Sequence, residues 1–391
     1  MMPDTNPSIG FVSTFPPTVC GIASYTASLV TAVANKSPSI STGVVSLGVS
    51  STKKIMPQVL MHHRPGNRRS LRDATAMLNN YDTVSIQHEF GIWGRGDGIE
   101  VLDFMSGLSV PNAVTLHTVL REPTQNQRTI IETMVGLTER VIVMSQTASD
   151  RLIELYGVNP DRISVVPHGA DPGFAGPSLA NGRRPLILTW GLIGPGKGLE
   201  WAIRALEDIA DMTPLPRYLI AGATHPEVKR ATGETYRNSL KALIRSLELG
   251  SMVDFDDRYL DRPSLARLVR SADVVVLPYE SAEQVTSGVL VEAIAASKPV
   301  IATQFPHALE LLSGGAGAVV PYGEPHVLGT KIRDVLSDRP TRDRMKSRAK
   351  RLALEWYWPR VGDRFAEVMT DIVVGPGSYA VIGSGRQRAA G

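Results

Sequence analysis

Short apolar runs, each followed by a segment whose apolar residues fall at helical spacing, recur along the whole chain. A run buried on both faces can pair in parallel with the next only through a crossover, usually a helix, so this alternation points to parallel α/β layers. Six runs come first: Ile9–Val12, Val44–Leu47, Thr83–Ile86, Ala113–Leu116, Arg140–Met144 and Ile163–Val166. Six more follow: Leu186–Trp190, Tyr218–Ala221, Met252–Phe255, Val274–Pro278, Val300–Thr303 and Ala318–Val320. Between the two sets lies Phe174–Pro185 (FAGPSLANGRRP), rich in Gly, Pro and Asn and without apolar periodicity, which reads as a linker. At 391 residues the chain exceeds one comfortable core, and the order predicts two Rossmann-like doubly wound domains, residues 1–178 and 179–355, facing across a cleft. Residues 356–374 read as a helix with the apolar stripe Trp356, Trp358, Val361, Phe365 and Val368, expected to pack back toward the first domain. The residues from Gly375 read as a flexible tail.

The bulk properties exclude several classes. With 41 basic against 38 acidic residues the net charge is only +3, which implies no nucleic-acid partner. The single cysteine, Cys20, forms no internal disulfide and suits a reducing compartment. The first residues lack the basic start and apolar run of a secretory signal, and no apolar stretch approaches the roughly 18 residues that span a bilayer. Together these predict a cytoplasmic protein; they leave peripheral membrane contact open without indicating it.

The most informative loop is Trp190-Gly191-Leu192-Ile193-Gly194-Pro195-Gly196-Lys197-Gly198, between a strand and a helix with apolar positions Leu199, Ile203, Leu206 and Ile209. Glycines admit close approach of a ligand, a helix start offers unpaired N–H groups, and Lys197 adds a full charge, which suits a diphosphate. A tight turn with an exposed lysine is the plainer alternative. Gly191 and Gly196-Lys197 also meet most of the triphosphatase pattern G-x-x-x-x-G-K-[ST], but Gly198 stands where a magnesium-binding hydroxyl belongs. A second helix start, Ser287-Gly288-Val289, follows the run ending at Pro278-Tyr279 and would present N–H groups to the same anion. Glu292, about one turn further, can accept hydrogen bonds from two neighbouring hydroxyls, as on a ribose.

In the first half, Gln87-His88-Glu89 and Leu116-His117-Thr118 each follow an apolar run, so both histidines fall at the ligand edge of a parallel sheet. His117 is the favoured catalytic group, and His88 and Glu89 are candidates for acceptor contact. His225 and the turn Pro167-His168-Gly169-Ala170-Asp171 read as structural. So does Cys20, which has no basic neighbour in sequence. Asp254-Phe255-Asp256-Asp257 reads as a solvated turn, and no metal or cofactor is assigned.

With these motifs the chain resembles glycosyltransferase family four of the GT-B fold, from about Ser8 to Phe365. The resemblance implies an acceptor domain followed by a nucleotide-sugar donor domain, and retaining transfer of a hexose, mannose or glucose, to a hydroxyl of a saccharide or glycoconjugate. The family carries two glutamates with seven residues between them; the second falls on Glu292, and the first position holds Gln284, beside Glu283. Gln284 would then position the sugar through an amide. An arginine is common after the first glycine of the lysine loop, where this chain has Leu192. The resemblance further assigns Gly21 to the loop over the donor phosphates, His117 to the anomeric centre, Gly222 to the nucleotide floor, and Arg258 and Tyr259 to the base. Donor contacts thus comprise Gly21, Gly191, Gly196, Lys197, Gly222, Arg258, Tyr259, Ser287, Gly288, Val289 and Glu292. A nucleotide-sugar epimerase of similar architecture, a non-catalytic nucleotide-sugar binder and a triphosphatase remain as alternatives.

Overall fold

A computed structural model describes residues 7–36, 40–48, 56–179 and 184–374. Part of the expected linker and the whole of the expected tail lie outside the described residues. The chain divides into two compact units, Met1–Pro167 with Trp358–Gly391, and His168–Tyr357. The changeover at Pro167/His168 precedes the glycine- and proline-rich stretch at which the sequence places it.

Among the described residues the first unit holds seven strands: β1 Ile9–Ser13, β2 Thr42–Leu47, β3 Val59–His63, β4 Thr83–His88, β5 Asn112–Leu116, β6 Arg140–Val143 and β7 Ile163–Val165. They form one parallel sheet in the order β3-β2-β1-β4-β5-β6-β7. The sequence expectation of six strands omitted β3. It is an edge strand with alternate residues exposed, its pairing with β2 shifts register between Val44 and Val45, and its short apolar run Val59-Leu60-Met61 gives way at once to His62 and His63. The helix Trp358–Val374 belongs to this unit. Its Phe365 stacks on Phe11 of β1 at 6.0 Å, and Gly362 lies so close to the helix Gly21–Lys36 that a Cβ there would be 2.7 Å from that of Ala32.

The second unit has six described strands: β8 Leu186–Trp190, β9 Arg217–Ala221, β10 Val253–Asp256, β11 Val274–Leu277, β12 Val300–Thr303 and β13 Gly317–Val320. Their order is β10-β9-β8-β11-β12-β13, again parallel. Val274, Val275, Val276 and Leu277 are all fully buried, as expected of a central strand covered by helices on both faces. Lys298 is buried as well, its ammonium donating to the carbonyls of Arg270 (2.6 Å) and Ala272 (2.8 Å) and to Ser178 Oγ (3.1 Å). In each unit the strand order reverses direction once, at β1/β4 and at β8/β11. The loops leaving the carboxyl ends of those strands are where open sheets of this kind bind ligands.

Candidate active site

In the second unit the switch point brings together most of the residues expected to hold a donor. The loop after β8 is shaped by glycines. Gly222, with φ +138°, leaves no room for a side chain, since a Cβ would sit 2.0 Å from the Gly191 carbonyl oxygen. Gly198, with φ +60°, would place a Cβ against the Pro278 carbonyl at 1.8 Å. Arg237 supports this floor, donating to Gly222 O at 2.8 Å and pairing with Asp257. The loop amides of Gly191, Ile193 and Lys197 are already donated to the carbonyls of Ala221, Ala223 and Gly194. The helix that follows, Leu199–Ala205, is short and tightens into a 3₁₀ turn at Leu206–Ile209.

The one full positive charge this loop offers an anion is Lys197. Its ammonium lies 4.2 Å above the centre of the Tyr279 ring, in a recess lined by Trp190, Gly191, Leu192 and Tyr279, and no carboxylate pairs with it among the described residues. Burial holds its pKa below the ordinary lysine value. A desolvated cation without a counter-ion is a receptive site for a ligand phosphate.

Ser287 caps the helix Gly288–Ala295 as the sequence suggests, its Oγ accepting from Leu290 N at 3.3 Å. Glu292 is 7% exposed, and both its oxygens have partners: Trp190 Nε1 donates to one at 3.1 Å and Arg262 to the other. Each carboxylate oxygen has a second lone pair, so the residue keeps the capacity to accept further hydrogen bonds, pre-oriented by the indole and the guanidinium. Arg262 was not legible as a site residue, because it lies far from Glu292 in sequence within an ordinary basic helix start.

Two histidines that the sequence left out of the site grip the segment from Gln284 to Gly288. His307 donates its main-chain N–H to Gln284 O (3.3 Å), and its Nδ1 accepts the Ser287 N–H (2.8 Å). His168 lies against Gly288, where a Cβ would be 2.9 Å from the ring. Burial lowers the pKa of His307 to about 3 and that of His168 to about 4, so both rings stay neutral near neutral pH and His307 can act as the acceptor. His307→Leu would leave the Ser287 N–H unpaired at a cost of about 1–3 kcal/mol. His307→Asn, whose side-chain oxygen can reach the same N–H, is expected to recover most of the lost melting temperature; equal losses in the two variants would dismiss the clamp.

The other expected donor contacts differ in setting. Val289 lies near Gly191, whose Cβ position is 3.6 Å from Val289 Cγ2, and Gly196 holds its loop to β11 by accepting from Glu280 N at 3.0 Å. Arg258 is paired with Asp256 (2.7 Å), and Tyr259 is 57% exposed. Asp254 pairs with Arg217 at 2.6 Å, so the acidic turn is neutralised by arginines. No cluster of potential metal ligands occurs among the described residues.

In the first unit, His117 follows β5 and its Nε2 meets Gln87 Oε1 at 2.9 Å. The Gln87 amide nitrogen faces the hydroxyls of Ser85 (3.1 Å) and Thr115 (3.3 Å), which leaves its oxygen to accept. His117 therefore carries its proton on Nε2. Its ring also meets Tyr25 edge to face at 4.9 Å, and Tyr25 in turn meets Trp358 at 5.3 Å. Glu89 accepts from Phe90 N (3.0 Å) and from the hydroxyl of Thr118, and burial raises its pKa despite both bonds. His88 is fully buried, burial lowers its pKa to about 3, and neither ring nitrogen has a hydrogen-bond partner among the described residues. Gly21 opens the helix Gly21–Lys36 with open space where a Cβ would be, and Cys20 Sγ accepts from Ala23 N at 3.3 Å. His225 caps the helix Pro226–Thr232.

Comparison with known proteins places these features in a family. Residues 43–174 match the family described as Glycosyltransferase Family 4, and residues 175–352 that described as Glycosyl transferases group 1. A D-inositol 3-phosphate glycosyltransferase of Corynebacterium glutamicum is 28% identical over 268 residues, covering 64% of this chain and 62% of that protein. Its counterpart in Rhodococcus erythropolis is 30% identical over 254 residues, 60% of this chain and 54% of the other. The matches span less than two thirds of these curated relatives. Among solved structures, HepE of Anabaena in complex with UDP matches with a TM-score of 0.74 at 20% identity, covering 93% of this chain and all of HepE. A glycosyltransferase of Rickettsia africae matches with a TM-score of 0.73 at 16% identity, over 95% of this chain and all of that one.

Proposed function

Because the chain belongs to glycosyltransferase family 4 and has the GT-B fold, we propose that it transfers a hexose from a nucleotide-diphosphate sugar to a hydroxyl of a saccharide or glycoconjugate, with retention at the anomeric carbon. The observation that carries the reading is Lys197, a desolvated ammonium without a carboxylate partner at the switch point of the six-stranded sheet.

In this mechanism the donor diphosphate lies against Lys197 and the start of the helix Gly288–Ala295, and Glu292 accepts hydrogen bonds from the ribose. Gln284 positions the sugar. The anomeric C–O bond to the diphosphate breaks, the acceptor oxygen bonds to the same face of that carbon, and the acceptor proton passes to the departing diphosphate. Lys197 stabilises the charge that develops there. In the first unit His117 orients the sugar and Glu89 receives the acceptor hydroxyl, a role that full burial denies to His88 in this conformation. Mannose and glucose are the donors to test first. HepE was also solved with UDP-glucose, which favours starting with that compound.

The test is incubation with a panel of nucleotide-sugars, with and without acceptors that include D-inositol 3-phosphate, after which the relatives are named. Nucleotide release coupled to a new glycoside is expected. An altered nucleotide-sugar formed without acceptor would identify an epimerase instead, and binding without turnover a silent relative. Within the site, Gln284→Ala should lower kcat by about tenfold or more with little change in nucleotide affinity, as expected for a group acting on the transferred sugar. An unchanged kcat would move that role to Glu283.

A further inference from the structure

The helix Arg339–Ala353 concentrates charge as no other described element does. It holds seven cationic residues and one carboxylate, in a chain whose net charge is +3, so the remainder of the chain is slightly negative. Three of the seven are engaged internally. Arg342 donates to Leu336 O at 2.8 Å, while Arg339 and Lys346 share Asp343 at 3.5 and 3.9 Å. The other four, Arg344, Arg348, Lys350 and Arg351, are exposed and form no salt bridge among the described residues, Arg344 sensing the Asp338 carboxylate only at longer range. Arg344 makes one neutral hydrogen bond, to Thr341 Oγ1 at 2.6 Å.

Their spacing makes them a surface. Arg344, Arg348 and Arg351 follow one another at four and three residues, so they form a single stripe, with Lys350 beside it. Leu354, three residues on, prolongs the stripe and is 61% exposed. From Arg344 to Leu354 the row is about 15 Å long at helical rise. The opposite face, with Ala349 and Ala353 buried, packs into the unit, so the charged row is presented outward on a supported helix. A row of unpaired guanidinium and ammonium groups concentrates anions, and guanidinium forks bind phosphate oxygens bidentately.

We propose that this face docks the protein on an anionic phospholipid surface, the cations contacting headgroup phosphates and Leu354 entering the boundary with the acyl chains. The inference does not depend on the transfer reaction. A membrane fits better than a polynucleotide because the row ends in an exposed aliphatic side chain, which a lipid interface accommodates, and contains no aromatic side chain on which a base could stack. Among the described residues no helix is long and apolar enough to cross a membrane, so the contact is a reversible surface one.

The test is co-sedimentation of the full chain with vesicles of phosphatidylcholine alone or mixed with phosphatidylglycerol, at low and high salt. Binding is expected only to the mixed vesicles, weakening as salt rises. Each cation near an anionic surface contributes roughly a fivefold factor in affinity, so replacing all four by Gln should weaken binding by roughly several hundredfold. Turnover of nucleotide-sugar in solution should be unchanged. The single variants Arg348→Gln and Arg351→Gln, each expected to lose about fivefold, keep the test available if the fourfold variant does not fold. Leu354→Ser should weaken binding while preserving its salt dependence. Wild-type protein that ignores phosphatidylglycerol vesicles, charge variants that sediment like the wild type, or tighter binding to a single-stranded oligonucleotide than to the vesicles would each overturn the assignment.

Discussion

Replacing Lys197 by Ala should lower turnover about 10²–10³-fold, the range found when one preorganised donor is removed from a developing negative charge. Leu192 brings no charge to the loop, and three of the loop amides are held by Ala221, Ala223 and Gly194, so the amides that remain offer partial charge and no full charge replaces the ammonium. Little stability should be lost, because the ammonium packs on the face of Tyr279, a contact worth about 0.5–2 kcal/mol and opposed by the desolvation of the charge. Turnover, nucleotide affinity and melting temperature measured together separate the two effects. The pH dependence has a definite sign. Burial depresses the pKa of Lys197, so the free enzyme loses this cation, and with it affinity for the diphosphate, as pH rises through that lowered value. The alkaline loss of donor affinity should vanish in Lys197→Ala. Near-normal turnover of the variant would remove the loop from the mechanism.

Sequence legibility followed the reach of the interactions. Twelve of the thirteen described strands could be read from their apolar residues, most of them buried in parallel sheets; β3 escaped because its run Val59-Leu60-Met61 is short, half exposed and followed directly by two histidines. The lysine loop, the Ser287 cap and the strand-end histidine were legible as local patterns of strand, glycine and helix start. Their supports were not. Gln87 holds His117 across 30 positions, Arg262 holds Glu292 across 30, and His307 holds Ser287 across 20. Such pairs are made by strand order, and periodicity carries no trace of them. His88 shows the converse. Its place at the end of an apolar strand suggested a ligand-facing residue, but β4 is buried along its whole length and the ring is sealed inside with it. Gly222 was legible as a glycine that needs space, whereas the neighbour that requires it, the Gly191 carbonyl, emerges only from the pairing of β8 with β9.

The same long-range logic gives the second large effect. Gln87→Leu removes the acceptor that fixes the His117 proton on Nε2 and with it one of the contacts that hold the tautomer and the orientation of the ring. A catalytic group misplaced by about an ångström can cost on the order of 10²-fold, so kcat should fall by about that much. The donor nucleotide, held by residues of the second unit, should bind with nearly wild-type affinity, which gives a split between kcat and nucleotide Kd that general destabilisation would not produce. Gln87→Glu retains an oxygen facing His117 and should recover part of the rate. Nitrogen chemical shifts of His117 report the tautomer directly. If Gln87→Leu kept both the wild-type rate and an Nε2-protonated ring, Gln87 would have no positioning role and His117 would be oriented by its other contacts, Tyr25 among them.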